Sequence, residues 1–437
     1  MATDNHSHTV QLLRQCLSFD GAMADRLADL SPIDWSEVCK LASKFRLSAL
    51  LYWRLKKTGL LESLPERQLK ALWRSYLSAE ADALWIRGQL GNLLSHLRQT
   101  GLSMIVLKGA YLAEYVYAHP GLRWMSDFDL LVRQEDLPGG MEQLTRLGYG
   151  PVRRFWLDFE TATSNHLPPM EKPGMLAVEL HWALARPDNP FSIDMEHIWQ
   201  RARPITVAGI DVLTLCPEDL LLHLCLHAVF QHHLSGGLWF LYDIAACVDR
   251  FSQELDWGIL IQRAEQWRIQ GAVYLCLRMA QEWFEAPLSA ELLASLRPAD
   301  FDPNLIAVAE ELVLTDRQVG AALSPDLASV TQQASQAGVL ASYLHRLFLP
   351  RRVMAQIYPA PPDSMRIFLY YPVRWADLFN RYIQQAWKLL RQDRDMTLAA
   401  DQVNHIRQNE KTLLEALFKN EPGTELTEDE RAIQAPN

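Results

Sequence analysis

A chain of 437 residues, 49% hydrophobic and 22% charged, carries enough apolar material for two or three packed cores, which excludes a disordered or fibrous protein. Its 42 Lys and Arg against 52 Asp and Glu give a formal net charge of −10, so it is not a basic nucleic-acid coat and any polyanion contact must be local. Six cysteines (Cys16, Cys39, Cys216, Cys225, Cys247 and Cys276) form no CxxC pair. That argues against a zinc ribbon or a disulfide scaffold and suits core thiols in a reducing, cytoplasmic compartment.

The segment Met1 to His8 is polar and lacks the cationic and apolar regions of an export signal. From Thr9 to Thr100 the apolar period is helical, and Asp34 with Glu37, then Ser63 with Glu66 behind Pro65, predict helix starts. The second start opens a long helix in which Leu69, Leu72, Trp73, Leu77, Leu84, Leu90, Leu94 and Leu97 keep helical spacing as far as Gly101. One face of it is expected to be covered. Residues 1–100 thus read as a helical N-terminal region.

Between Leu102 and Trp182 the pattern shortens. Apolar runs at Met104–Leu107, Phe128–Val132 and Leu176–Trp182 predict strands, with helices near Ala110–Ala118 and Asp136–Arg146, so that 101–215 reads as an α/β core. The helical period returns after Pro217 and predicts a large helical domain over 216–394, followed over 395–437 by a helical end and a partly disordered acidic tail. The uncharged stretch Leu220–Tyr242 is long enough to cross a bilayer, but its four histidines and Gly-Gly pair predict two buried helices rather than a transmembrane segment.

The chemistry-bearing residues cluster in the α/β core. Alternate side chains of a strand share a face, so Asp127 and Asp129 point the same way while Phe128 and Leu130 turn into the core. Two carboxylates a pleat apart, with Glu179 on an adjacent strand, make a hard-oxygen site suited to Mg²⁺ or Mn²⁺. Gly109 follows a strand and opens a helix, where unpaired N–H groups and a partial positive charge favour an anion. Lys108 and Arg123 are either phosphate ligands or solvated surface charges. His181 shares a face with Glu179 and either orients it, contacts a nucleotide or is structural, whereas Trp182 faces the core.

In order, Leu107-Lys108-Gly109-Ala110, Arg123-Trp124-Met125-Ser126-Asp127-Phe128-Asp129-Leu130-Leu131-Val132 and Val178-Glu179-Leu180-His181-Trp182 resemble the uncharacterised nucleotidyltransferase family of the polymerase-β-like superfamily, over roughly Asp34 to Leu288. The resemblance implies an α/β (α+β) fold, a mixed-sheet core with helical regions on either side of it in the chain. It implies a metal-dependent enzyme that moves a nucleoside monophosphate from a nucleoside triphosphate such as ATP to a hydroxyl of a small molecule, saccharide or protein. Asp127, Asp129 and Glu179 match the catalytic, metal-binding acids; Lys108, Gly109, Ala110, Arg123, Ser126 and His181 match or flank the nucleotide-binding positions. Ala110 departs from the Ser or Gly common at that turn, leaving a hydroxyl to be replaced by Lys108 or Arg123. A noncatalytic nucleotide-binding or scaffold protein that retains the fold is the alternative.

His223 and His227 stand at a zinc-compatible spacing, but no glutamate lies between them as in HExxH, and a core role is expected. His227 and Asp243 either face substrate or pair with each other. Residues 343–394 hold nine Lys/Arg against three Asp/Glu, interleaved with Tyr370, Tyr371, Trp375, Phe379, Tyr382 and Trp387. This segment is either a weak site for an anionic partner or a helical core face with a solvated back. The acidic total speaks against a nucleic-acid template.

Overall fold

The structure is a computed structural model and describes residues 2–19, 27, 30–187, 189–235, 237–315, 348–378 and 394–418. It divides into two compact units, one of residues 1–152, 163–231 and 237–301, the other of residues 153–162, 232–236 and 302–437.

The first unit begins with helices α1 (Ala2–Leu17), α2 (Pro32–Lys44), α3 (Ser48–Lys57) and α4 (Glu66–Gln99). The cap of α2 lies at Ser31 rather than at Asp34: the Ser31 hydroxyl accepts from the Asp34 N–H, and the Asp34 carboxylate accepts from the Ser31 N–H at 3.2 Å. Asp34 is therefore the returning partner of the capping box. Ser63 likewise ends a 3-10 turn instead of capping, and α4 opens after Pro65 with no side-chain cap. The apolar stripe of α4 is covered at Leu72, Leu90, Leu93, Leu94 and Leu97, but Trp73, Leu77 and Leu84 are 47%, 45% and 74% exposed. At 34 residues α4 is about 50 Å long, more than its neighbours cover.

A seven-stranded mixed sheet forms the centre of the unit in the order β3-β4-β5-β2-β1-β7-β6. The expected strands appear as β1 (Ile105–Val106), β2 (Asp127–Leu131) and β5 (Ala177–His181), and the expected helices as α5 (Lys108–Tyr115) and α6 (Leu137–Arg146). Four strands had no counterpart in the sequence reading: β3 (Gly150–Pro151), β4 (Met170–Glu171), β6 (Arg203–Val207) and β7 (Ile210–Thr214). The β6–β7 hairpin turns at Ala208 and Gly209, with φ of 50° and 82°, so a pair without Asn or Asp does the work of the usual hairpin signal. β2 runs antiparallel to β1 and parallel to β5, in a register that sets Asp129 opposite Glu179. Phe128, Leu130, Val178 and Leu180 are fully buried between these strands and the helices, which fixes that register.

Past the sheet come α7 (Met195–Arg201), α8 (Pro217–Leu226), α9 (Leu238–Arg250), α10 (Trp257–Gln266) and α11 (Gln270–Phe284). The uncharged stretch is indeed two buried helical pieces: α8 runs into a π-turn at His227–Gln231, and α9 begins after Gly237. No helix among the described residues is long and apolar enough to cross a membrane. Asp219 is wholly buried yet satisfied, accepting from Arg201 Nε at 2.8 Å and Arg263 Nη1 at 3.0 Å, which ties α7 and α10 to the start of α8. All six cysteines are free, five of them buried, and burial pushes Cys39 and Cys216 up to about 11, as expected of unreactive core thiols.

In the second unit α12 (Asn304–Leu314) packs on α14 (Arg394–Phe418), where His405 and Asn409 meet the Glu311 carboxylate at 3.0 and 2.7 Å. In the described part of 343–394, Met354, Ala355, Tyr358 and Ile367 form a small core around α13 (Arg351–Ile357), with Tyr370 and Tyr371 packed on it. Phe379, Tyr382 and Trp387 lie outside the described residues, as does the acidic tail beyond residue 418.

Two glycines test the packing in opposite directions. A Cβ at Gly121 would lie 2.9 Å from the Ala79 backbone of α4, so Gly121→Ala is expected to destabilise by about 1–3 kcal/mol. Gly139, inside α6 with open space around it, is expected to gain roughly 0.5–1 kcal/mol when changed to Ala. Urea denaturation midpoints of the two variants should move in opposite senses.

Candidate metal and nucleotide site

The Leu107 N–H donates to the Asp129 carbonyl at 3.0 Å, which brings the end of β1 beside the middle of β2. At Lys108 the chain leaves the sheet with a positive φ of 42°, unusual for a side chain of this kind, and enters α5. Lys108, Gly109 and Ala110 are all buried. Gly109 is where the chains come closest: a Cβ there would stand 3.3 Å from Met125 Cβ and 3.9 Å from Arg123 Nη1. Its lack of a side chain therefore lets the Arg123–Ser126 segment pass against the first turn of α5, whose N–H groups have no intrahelical partner.

Two of the three acids come together, with Asp129 facing Glu179 in the ladder, and the compact donor group takes His181 rather than Asp127 as its third member. One oxygen of Asp129, Oδ1, accepts from Lys108 Nζ at 2.9 Å and from His181 Nε2 at 2.8 Å. His181 Nε2 is also 3.5 Å from Glu179 Oε2, and one donor atom from each of Asp129, Glu179 and His181 lies within 4.8 Å of the others. Among the described residues this is the one grouping of three potential metal ligands so compact. Asp127 enters the strand one pleat earlier and is half-buried, with the Ser126 hydroxyl 3.2 Å from its Oδ2.

The charges are strongly coupled. Burial, then the neighbouring Asp129 and Glu179 carboxylates, push Asp127 up to about 6. Burial alone would also raise Asp129, but the Lys108 ammonium and the hydrogen bond from His181 hold its carboxyl well below the usual range. Glu179 is held below its ordinary value against burial by His181 and His166. His181, fully buried, is raised because its hydrogen bonds to Asp129 and Glu179 outweigh desolvation. The cluster thus already balances anions with internal cations, which is the chemistry a dication would take over.

The other candidates are placed differently. Arg123 does not extend into open space: its Nε and Nη2 each donate to Asp243 at 2.8 Å, the Tyr117 hydroxyl reaches the same carboxylate at 2.7 Å, and the guanidinium lies 4.4 Å from the Trp239 ring centre. The Asp243 carboxylate is thus taken by Arg123 and Tyr117, which corrects the expectation that it pairs with His227. His223 and His227 are buried with ring centres 6.1 Å apart, and they join no grouping of three ligands among the described residues. Burial, then the Lys108 ammonium, lowers His223 to about 3, so it stays neutral. His166 had no place in the sequence reading, yet its Nδ1 is 3.7 Å from Glu179 Oε2 and its ring centre 4.9 Å from that of His181. A lone histidine ahead of Pro168-Pro169 carries no local signal for this. It reaches the cluster through a single bridge to His181 at the end of β5.

The strand-helix turn at Gly109 and the carboxylates of two adjacent strands lie together, and the family comparison supplies the class. A family model described as uncharacterised nucleotidyltransferase matches residues 31–285, more than half of the chain, and the protein belongs to that family. No curated protein and no solved structure matches the chain.

Proposed function

We propose that the protein is a metal-dependent nucleotidyltransferase that moves a nucleoside monophosphate from a nucleoside triphosphate, ATP among the candidates, to a hydroxyl acceptor, with pyrophosphate leaving. The observation that carries this reading is the register of β2 on β5, which sets Asp129 against Glu179 on the face that Asp127 shares, beside the Gly109 turn. The donor set fits dications such as Mg²⁺ or Mn²⁺: Asp127, Asp129 and Glu179 would hold them. When bound, these ions acidify the acceptor hydroxyl and neutralise charge on the departing phosphates.

The chain's own groups do the rest. N–H groups at Gly109 and Ala110 bind a phosphate at the positive end of α5. Lys108, anchored on Asp129, supplies a fixed positive charge beside that turn. Ser126 braces Asp127, and Arg123 holds the Met125–Asp127 strand entry through its clamp on Asp243. The acceptor oxygen attacks the α-phosphorus, the bond from that phosphorus to the bridging oxygen breaks, and the hydroxyl proton passes to a carboxylate. A cavity of about 300 Å³ between α4, α5 and the Pro120–Met125 segment shares Ala110, Arg123 and Met125 with the turn. Its size and mostly apolar lining favour a small-molecule acceptor over a polymer. Six free cysteines, as a reducing compartment keeps them, favour action in the cytoplasm.

One observation favours the noncatalytic alternative: Lys108 already neutralises Asp129, as a permanently seated cation would. Incubation with each α-labelled triphosphate, Mg²⁺ and a cell extract separates the two. Label transferred to a product by the wild type and not by Asp129→Asn supports the enzyme. Saturable triphosphate binding with no labelled product supports the scaffold.

A further inference from the structure

The His181 ring lies where a cation at the carboxylates would meet it. Ligands about 2.1 Å from an octahedral cation stand about 3 Å apart on neighbouring corners. His181 Nε2 is 2.8 Å from Asp129 Oδ1 and 3.5 Å from Glu179 Oε2, near that spacing from each carboxylate, and one donor atom from each of the three residues lies within 4.8 Å of the others. The ring is held there rigidly: it is 2% exposed, ends β5 on the same face as Glu179, and packs on His166. Its other nitrogen, Nδ1, is buried with no hydrogen-bond partner, and both ring nitrogens of the buried His223 share that condition. With no partner holding Nδ1, the ring is free to carry its proton there and present Nε2 as a lone pair.

We infer that His181 is a metal ligand, completing with Asp129 and Glu179 a two-carboxylate, one-imidazole site that takes a first-row transition dication in preference to Mg²⁺. The inference rests on the carboxylate site proposed above and adds to it the identity of the cation. Mg²⁺ is a hard ion that keeps oxygen ligands and water, whereas an imidazole nitrogen contributes more to the binding of softer dications. Three ligands drawn from two adjacent strands would leave the remaining coordination positions open for phosphate oxygens.

The test uses the full chain and Mn²⁺ alone, read by electron spin-echo envelope modulation. A bound Mn²⁺ should show nitrogen modulation that changes when the protein is labelled with ¹⁵N-histidine. The modulation should vanish in His181→Gln and survive in His166→Gln. Titration should show Mn²⁺ displaced only by a more than tenfold excess of Mg²⁺ in the wild type. Mn²⁺ that binds, is lost in Asp129→Asn and shows no histidine modulation overturns the ligand role while leaving the carboxylate site standing, and His181 is then only the donor that orients Asp129. Modulation that persists in His181→Gln overturns it equally. No saturable Mn²⁺ binding removes both this inference and the site beneath it. Because the ¹⁵N comparison needs no substitution, it reads histidine ligation even where His181→Gln folds poorly, and loss of the modulation in His166→Gln would then overturn the assignment to His181.

Discussion

Asp127→Asn is expected to abolish transfer while making the metal-free protein more stable above pH 6. Loss of a metal-holding carboxylate removes several kcal/mol of transition-state stabilisation, and about 4 kcal/mol corresponds to a roughly thousandfold lower rate. The stability change has the opposite sign because burial, and then the two neighbouring acids, raise Asp127 to about 6 in the folded chain, against an ordinary value of 3.8. A carboxyl raised on folding favours the native state most below its unfolded value, and that contribution disappears as pH climbs through the folded value. Wild-type stability relative to Asp127→Asn should therefore fall between about pH 4 and pH 6 and then level off. The gap is on the order of 1–2 kcal/mol, allowing for solvent screening of a half-buried group. Urea melts of both proteins with chelator at pH 4.5 and pH 7.5 check the sign. A gap that does not change between the two pH values would mean that Asp127 is neither buried nor crowded by the other acids in the folded chain.

The second large effect concerns Arg123 and Asp243, which are 8% and 1% exposed and joined by a bidentate pair. Removing one member strands a buried charge, so Asp243→Ala should cost about 3–5 kcal/mol, with Tyr117 also losing its acceptor. Arg123→Met combined with Asp243→Leu should be far less damaging than the sum of the singles, since neither change leaves an unpaired ion. A double-mutant cycle by chemical denaturation gives the coupling. Transfer by the double variant then reports whether Arg123 also touches a phosphate. If stability recovers and transfer does not, the guanidinium serves the substrate as well as the fold.

The strand positions of the acids were legible from alternation alone, because Phe128 and Leu130 need a core and thereby orient Asp127 and Asp129. Glu179 could be assigned to their neighbourhood through its motif. What no local pattern carried was pairing across distance. The Arg123–Asp243 clamp spans 120 residues, and the Lys108 and His181 contacts with a single Asp129 oxygen span 21 and 52. Arg123 and Lys108 thus read as either phosphate ligands or solvated surface charges, while the fold had buried partners for both. Helix starts were misplaced for a related reason: Ser and Asp recur every few residues, and only the backbone angles at Ser31 distinguish the cap from the residue that answers it. Strands as short as β3 and β4, two residues each, leave too little alternation to read.

The parallel seam between β2 and β5 has a consequence for assembly. Its two sides lie about fifty residues apart in the chain, and the intervening segment must be laid down before they meet. Were β5 to dock one position out of step, Glu179 and His181 would both rotate to the far face, and Asp129 would confront an aliphatic neighbour. A chain trapped in that arrangement would have no cage to offer, so the ion proposed for the site would also select the docked register.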